Sequence, residues 1–252
     1  MNMNEIEELA QVIKNSDNIV FFGGAGVSTE SGIPDFRSAK GLWNEKLKIN
    51  FTPEQLVSHT FYMRYPNEFF EFYKDKLIYP EAKPNKAHLA LAELERMGKV
   101  KAVVTQNIDG LHQAAGSKTV YELHGSVLRN YCEKCGKFYD EKYILNSEGV
   151  PTCDACGGRV KPDVVLYEEG LDDAVISGAV NAISHADTLI IGGTSLVVYP
   201  AAGLIRYFNG SKIVLINKSS TGADRDADIL IHEPIGEVFE KVMNILRSES
   251  EE

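Results

Sequence analysis

The chain has 252 residues, 44% of them apolar and 25% charged, and carries a formal net charge of −10 from 36 Asp and Glu against 26 Lys and Arg. Apolar content near the globular average excludes disorder or a fibrous repeat for the chain as a whole, and the length suits one large domain or a main domain with insertions. The acidic balance argues against a nucleic-acid surface and suits basic partners such as lysine-rich peptides.

No apolar run approaches the roughly 18 residues of a membrane span, and Ile19 to Phe22 is typical of the longest. The opening residues lack the basic and apolar regions of an export signal, so a cytoplasmic protein with no membrane contact is expected. Ile6, Leu9 and Ile13 lie at helical spacing and predict a short amphipathic helix over about 4–14. Asn18 to Phe22 then reads as a buried strand running into Gly23-Gly24-Ala25-Gly26. Strands of the same kind are expected at Val100–Thr105, Val120–Leu123, Thr188–Gly192, Lys212–Asn217 and Ile229–Ile231. Helices are expected between several of them, at about Asn85–Met97, Asp172–Ser184 and Gly236–Arg247. Pro84 precedes the first of these helices and Gly98 stops it. Alternating strands and helices predict an α/β fold, a parallel sheet covered on both faces.

Two stretches break this pattern. Residues 38–83 are rich in aromatics and Pro and read as a helical insertion, and residues 129–162 hold all 4 cysteines. The expected division is a large unit of 1–37, 84–128 and 163–252, with both insertions forming a smaller one. Cys132-x2-Cys135 and Cys153-x2-Cys156 have the spacing of a four-thiolate zinc ribbon, each followed by a knuckle glycine, Gly136 or Gly157. Four sulfur ligands leave no open position for a reactive water, so one structural Zn2+ is expected. Paired disulfides or redox sites are the competing readings, and a reducing compartment disfavours the first.

The glycine loop ends in Val27-Ser28-Thr29, and its backbone N–H groups suit a pyrophosphate. Gly24-x-Gly26 keeps two positions of the dinucleotide fingerprint, but Thr29 replaces the third glycine, and a plain strand-to-helix turn is the alternative. Gly32-Ile33-Pro34-Asp35-Phe36-Arg37 joins a turn, a carboxylate, an aromatic face and a guanidinium that can clamp phosphate; the alternative is a surface turn closed by an Asp35–Arg37 pair. Thr105-Gln106-Asn107-Ile108-Asp109 follows a strand, at the sheet edge where ligands of open parallel sheets bind. His124 follows the strand from Val120 and falls at the same edge, with a side chain suited to general-base work near pH 7. Thr194 and Ser195 after one strand, and Asn217 after another, suit ribose or phosphate contacts.

Together, Gly24 to Ser28, Gly32 to Arg37, Thr105 to Asp109, His124-Gly125, the paired cysteine motifs and Gly193 to Ser195 resemble the sirtuins, NAD-dependent protein lysine deacylases, from about residue 15 to 240. The resemblance implies a Rossmann-like sheet domain and a smaller zinc-ribbon and helical domain, with NAD and acyl-lysine between them. NAD is consumed: nicotinamide leaves, the acyl oxygen captures the ribose carbon, and lysine and 2′-O-acyl-ADP-ribose are released. By motif, Gly24, Ala25, Gly26, Thr29, Arg37, Thr194, Ser195 and Asn217 bind NAD phosphates and riboses, and Ile235 borders the adenine. Ile108 and Asp109 hold the carboxamide with Asp35 nearby, and Phe36 shields the reacting carbon. Gln106 and Asn107 order ribose hydroxyls and a water, and His124 is the base. Val164, Val165 and Tyr167 offer a strand edge to an extended peptide, with Val197 and Val198 as the facing wall.

The resemblance has two departures. Where many relatives have Phe-Gly-Glu, this chain has Tyr167-Glu168-Glu169. Tyr73 and Lys76 stand where desuccinylating relatives carry Tyr-x-x-Arg; a lysine is only a point charge there, so deacetylation is expected over desuccinylation. The expected partners are acetylated lysine proteins or peptides, bound by a monomer. Protein ADP-ribosyl transfer, other deacylation and a non-catalytic NAD or ADP-ribose sensor are the rival readings.

Overall fold

The computed structural model describes residues 3–36 and 51–250. Its strands are β1 (Ile19–Gly23), β2 (Val100–Thr105), β3 (Val120–Glu122), β4 (Gly125–Cys132), β5 (Phe138–Tyr139), β6 (Val160–Val164), β7 (Thr188–Gly192), β8 (Lys212–Ile216) and β9 (Ile229–Ile231). Its α-helices are α1 (Met3–Asn15), α2 (Pro53–Leu56), α3 (His59–Arg64), α4 (Pro66–Lys76), α5 (Lys86–Arg96), α6 (Leu111–Ala115), α7 (Glu141–Asn146), α8 (Asp173–His185) and α9 (Ile235–Ser250).

Six strands form one parallel sheet in the order β3-β2-β1-β7-β8-β9. Every residue of β1 and β7 is buried, as near-continuous apolar strands require when helices cover both faces. Phe21 and Phe22 show the two-residue period directly. Phe21 packs with Leu9, Leu91 and Phe239 of α1, α5 and α9, whereas Phe22 packs with Ile183 of α8 and Leu204 on the opposite face. Burying each ring contributes about 2–3 kcal/mol. The helices begin at side-chain caps: Asn85 accepts from the Ala87 amide at 2.9 Å to open α5, and Asp172 accepts from the Val175 amide at 2.9 Å to open α8. Chain order runs outward in both directions from the β1/β7 boundary. That boundary is the switch point where loops leaving adjacent strands diverge and open a crevice.

A second sheet, antiparallel with order β5-β4-β6, runs from Gly125 to Val164 and so extends past both ends of the cysteine stretch. One apolar cluster joins it to the aromatic helices: Phe61, Tyr62, Phe69, Phe70 and Tyr73 pack with Cys132, Tyr139 and Val160. Phe69 and Tyr73 stack at 5.7 Å, and the Arg159 guanidinium lies 5.0 Å from the centre of the Tyr62 ring. The chain crosses from one sheet to the other at His124 and Gly125. Gly125 has φ +75°, and a side chain there would collide with the Asp163 carbonyl, so only glycine lets β4 run this close to β6. Among the described residues, no helix is long and apolar enough to cross a membrane.

Candidate active site

The loops after β1 and β7 meet at the switch point. The Gly26 amide donates to the Gly193 carbonyl at 2.8 Å, and a Cβ on Gly26 would lie 2.8 Å from that same oxygen. Gly193, at φ +59°, would itself drive a side chain into the Val27 amide. The glycines therefore serve a close approach of two backbones as well as any approach to a ligand. The loop continues as a short 3-10 turn, Ala25–Val27, and Thr29 closes it by donating from Oγ1 to the Gly26 carbonyl at 3.0 Å.

Behind this loop, Ser28 joins the polar residues that follow β2. Its Oγ donates to Asp109 Oδ2 at 2.6 Å and accepts from Asn107 Nδ2 at 3.0 Å, while the Leu111 amide holds Asp109 Oδ1 at 2.9 Å. Burial raises the Asp109 pKa above the ordinary carboxylate range, while the Ser28 and Leu111 bonds oppose the shift. Ser28 is 1% exposed and Asn107 8%, so this polar cluster is held clear of bulk solvent at the cleft floor.

His124 sits across from it. A carbonyl can only accept, so the contact from Nδ1 to the Gln106 carbonyl at 3.0 Å places the proton on Nδ1 and leaves Nε2 as the basic nitrogen. Burial lowers the His124 pKa below the usual imidazole value, against the opposing bond to Gln106, which keeps the ring neutral and able to take a proton near pH 7. Gln106 is itself fixed, with Nε2 donating to Thr194 Oγ1 at 3.0 Å. The Asn217 amide is spent on the backbone of Thr194, accepting from its N–H at 2.9 Å and donating to its carbonyl at 3.0 Å. This side chain shapes the β7 loop from the cleft wall.

These groups line one cleft of about 830 Å³. Gly24, Ala25, Gly26, Thr29, Thr194, Ser195, Asn217 and Ile235 lie along its wall, as do Asp35, Phe36, Gln106, Ile108, Asp109 and His124. Phe36 also packs against the cluster of the antiparallel sheet. Val164, Val165, Tyr167 and Val198 line the other end, but Val197 does not; it is 56% exposed beyond the left-handed turn at Leu196. The edge expected at Val164–Tyr167 is partly taken. The Val165 amide donates to the His124 carbonyl at 3.0 Å, the Leu166 amide to Glu169 Oε2 at 3.0 Å, and the Tyr167 amide to the Val57 carbonyl at 3.0 Å. Arg37 lies outside the described residues. In the sequence Ser28 is one of two adjacent hydroxyls that end a small, apolar turn, and nothing there separates its role from that of Thr29.

The four cysteines cluster away from the cleft chemistry. Their sulfurs all lie within 4.8 Å of one another, with Cys132–Cys156 at 3.4 Å and Cys135–Cys153 at 3.6 Å. Those contacts are too long for a disulfide and close to the sulfur separation of about 3.8 Å in a tetrahedral zinc site with 2.3 Å bonds. The two turns are built alike: the Gly136 amide donates to the Cys132 carbonyl at 2.9 Å, and the Gly157 amide to the Cys153 carbonyl at 2.8 Å. Tyr139 Oη lies 3.0 Å from Cys153 Sγ, a hydrogen-bond donor suited to a thiolate. The donor set therefore fits Zn2+, and its four thiolates close the coordination sphere.

The model of the Sir2 family matches residues 24–200. The chain belongs to the Sir2 family. Among Sir2 relatives, the NAD-dependent protein deacetylase of Clostridium perfringens is 73% identical over 96% of this chain and 99% of its own length. The NAD-dependent protein deacetylase of Clostridium acetobutylicum is 61% identical over the same shares. A solved Sir2 structure with a deacetylated p53 peptide and 3′-O-acetyl ADP ribose shares 39% identity and superposes with a TM-score of 0.86, covering 95% of this chain and 97% of that one.

Proposed function

We propose that this Sir2 chain is an NAD-dependent protein lysine deacetylase that consumes NAD and passes the acetyl group to ADP-ribose. The observation that carries this reading is the convergence of Ser28, Asn107, Asp109 and His124 on one cleft at the switch point of a parallel sheet. The 73% and 61% identical relatives support it.

When bound, NAD supplies a glycosidic bond whose cleavage leaves an electrophilic ribose carbon. The chain's residues bind, orient and exclude water around that carbon. Ala25, Gly26, Thr29, Thr194 and Ser195, with Arg37, hold phosphates and riboses, and Ile235 borders the adenine. Asn217 acts through the Thr194 backbone it grips. Asp109 and Ile108, with Asp35, hold the carboxamide. Phe36 covers the reacting carbon, where bulk water is the competing nucleophile. Gln106 and Asn107 order the ribose hydroxyls, and His124 Nε2 takes the proton of one of them. Val164, Val165, Tyr167 and Val198 receive the acyl-lysine peptide. One structural Zn2+ is held by Cys132, Cys135, Cys153 and Cys156. The nucleotide-binding part is residues 1–37, 84–128 and 163–252, and the smaller part is 38–83 with 129–162.

Acetyl is favoured over succinyl because the two groups that would meet a distal carboxylate are separated. Lys76 lines the cleft, whereas Tyr73 is fully buried in the aromatic cluster. Free thiols assembled as a metal site suit a reducing cytoplasm, and a monomer is the state proposed there.

The test is incubation of purified protein with NAD and an acetyl-lysine peptide, following nicotinamide and peptide mass. Peptide-dependent nicotinamide release matched mole for mole by deacetylated peptide is expected, with slower turnover of the succinyl analogue. Nicotinamide without deacetylation would indicate ADP-ribosyl transfer, and binding with neither product a sensor; each contradicts the proposal.

A further inference from the structure

Beyond His124 the cleft is bounded by a lip, Leu166–Glu169, whose backbone is unusual. Glu168 has φ +76°, and Leu196 is its one non-glycine companion in the left-handed region among the described residues. An L-residue is disfavoured there by contact between its Cβ and the backbone, so something else must hold the conformation.

The side chains of the lip supply that hold. Glu168 Oε2 accepts from the Thr60 amide at 2.8 Å and from Thr60 Oγ1 at 2.6 Å, in the first turn of α3. Those bonds keep the Glu168 carboxyl below its ordinary pKa. Glu169 binds three partners: Oε1 meets His59 Nδ1 at 2.9 Å, and Oε2 accepts from Lys161 Nζ at 3.1 Å and from the Leu166 amide at 3.0 Å. Between them, the Tyr167 amide donates to the Val57 carbonyl and its carbonyl accepts from the His59 amide, both at 3.0 Å. The lip is thus tied to the start of α3 on one side and to β6 on the other. It adjoins the catalytic seam through the bond from the Val165 amide to the His124 carbonyl.

We propose that Glu168 is a positioning residue for the acyl-lysine peptide: its grip on Thr60 holds the lip in its left-handed turn before peptide arrives. This rests on the deacetylase reading and adds to it the means by which the peptide wall is prepared. A wall already ordered leaves less conformational freedom to be lost on binding, which raises affinity without touching the reacting atoms. The competing use of Glu168, direct attraction of basic residues flanking the lysine, conflicts with its carboxylate being engaged by Thr60.

The experiment compares E168A, E168G and E168Q with wild type. Hydrogen–deuterium exchange of residues 166–170 is measured without peptide, and KM and kcat are measured with acetyl-lysine peptides flanked by Lys or by Glu. E168A is expected to speed exchange at the lip and to raise peptide KM about fivefold on both peptides, with kcat and the KM for NAD within about twofold. E168G relieves the backbone strain but lacks the side-chain bond, so it behaves like E168A. E168Q keeps an amide oxygen that can accept from Thr60 and stays near wild type. Unchanged lip exchange and unchanged KM in E168A, from an active wild type, overturn the positioning role. A loss confined to the Lys-flanked peptide and shared by E168Q overturns it in favour of charge recognition. A wild type inactive toward both peptides overturns the deacetylase reading, and the peptide role of Glu168 falls with it.

Discussion

The two sheets that face the cleft are held together by different means. The parallel sheet is closed by its own apolar strands, with Phe21 and Phe22 buried on opposite faces beneath helices. It places Gly26 through backbone contact with Gly193, and Asp109 and Thr194 through backbone position and the side chains of Ser28 and Asn217. The antiparallel sheet is small, its β5 only two residues long; it leans on the aromatic helices, and its far end gathers four thiols at the edge of that cluster. Its near end leads into Val164–Tyr167, which line the cleft on the side proposed for the peptide. The comparison teaches that the nucleotide side should persist without metal, whereas the peptide side should depend on it.

The largest effect is expected at the seam between the two. His124→Ala removes the only imidazole among the cleft-lining residues and should lower deacetylation by about a hundredfold or more, while NAD binding by calorimetry stays within a few-fold. Retained turnover would move the base elsewhere. Next in size is Cys132→Ser, which should cost most of the bound zinc in an elemental assay and loosen the antiparallel sheet, because metal binding and folding are coupled. ADP-ribose binding should survive better than peptide binding; equal loss of both would break the contrast between the sheets. Gly193→Ala tests the metal-free side. Its positive φ and the crowding against Val27 should destabilise by about 2 kcal/mol in denaturant melts, with weaker NAD binding.

A separate effect is a pH dependence lodged in the parallel-sheet half. Burial pushes His88 down from 6.5 to about 4, and burial with the neighbouring His88 ring pushes His112 down to about 3. The rings lie 4.7 Å apart, and both nitrogens of His112 lack partners. Both histidines are neutral in the fold, so above pH 6.5 their contribution is complete. As pH falls from there towards 4, the unfolded chain takes up protons that the native chain excludes. Stability should then fall by up to about 1.4 kcal/mol per pH unit for each histidine. Equal unfolding free energies at pH 7 and pH 5 would contradict this.

Much of the parallel sheet was legible because its signals are local. A buried apolar strand followed by small or polar residues marks a sheet edge, and Gly24–Thr29, Thr105–Asp109 and His124 all carry that mark. The cysteines were legible because thiol spacing is itself the geometry. The Ser28–Asn107–Asp109 cluster was not, since Ser28 follows β1 and the other two follow β2, and only the pairing of those strands unites them. An asparagine ending a strand looks alike whether or not it also braces a neighbouring loop, and only the fold shows the bonds of Asn217 to Thr194. Tyr167-Glu168-Glu169 stood out in the sequence only as a departure from Phe-Gly-Glu, and only the fold reveals that Glu168 and Glu169 are engaged by Thr60, His59 and Lys161.

The central claim is that both sides of the cleft act on one nucleotide. A crystal structure with NAD and an acetyl-lysine peptide tests it most directly. The account predicts Asp109 at the carboxamide, His124 Nε2 within hydrogen-bond reach of a hydroxyl on the adjoining ribose, and the acetyl-lysine entering past Tyr167. A nucleotide seated on the glycine loops with its nicotinamide ribose out of reach of His124 would contradict it.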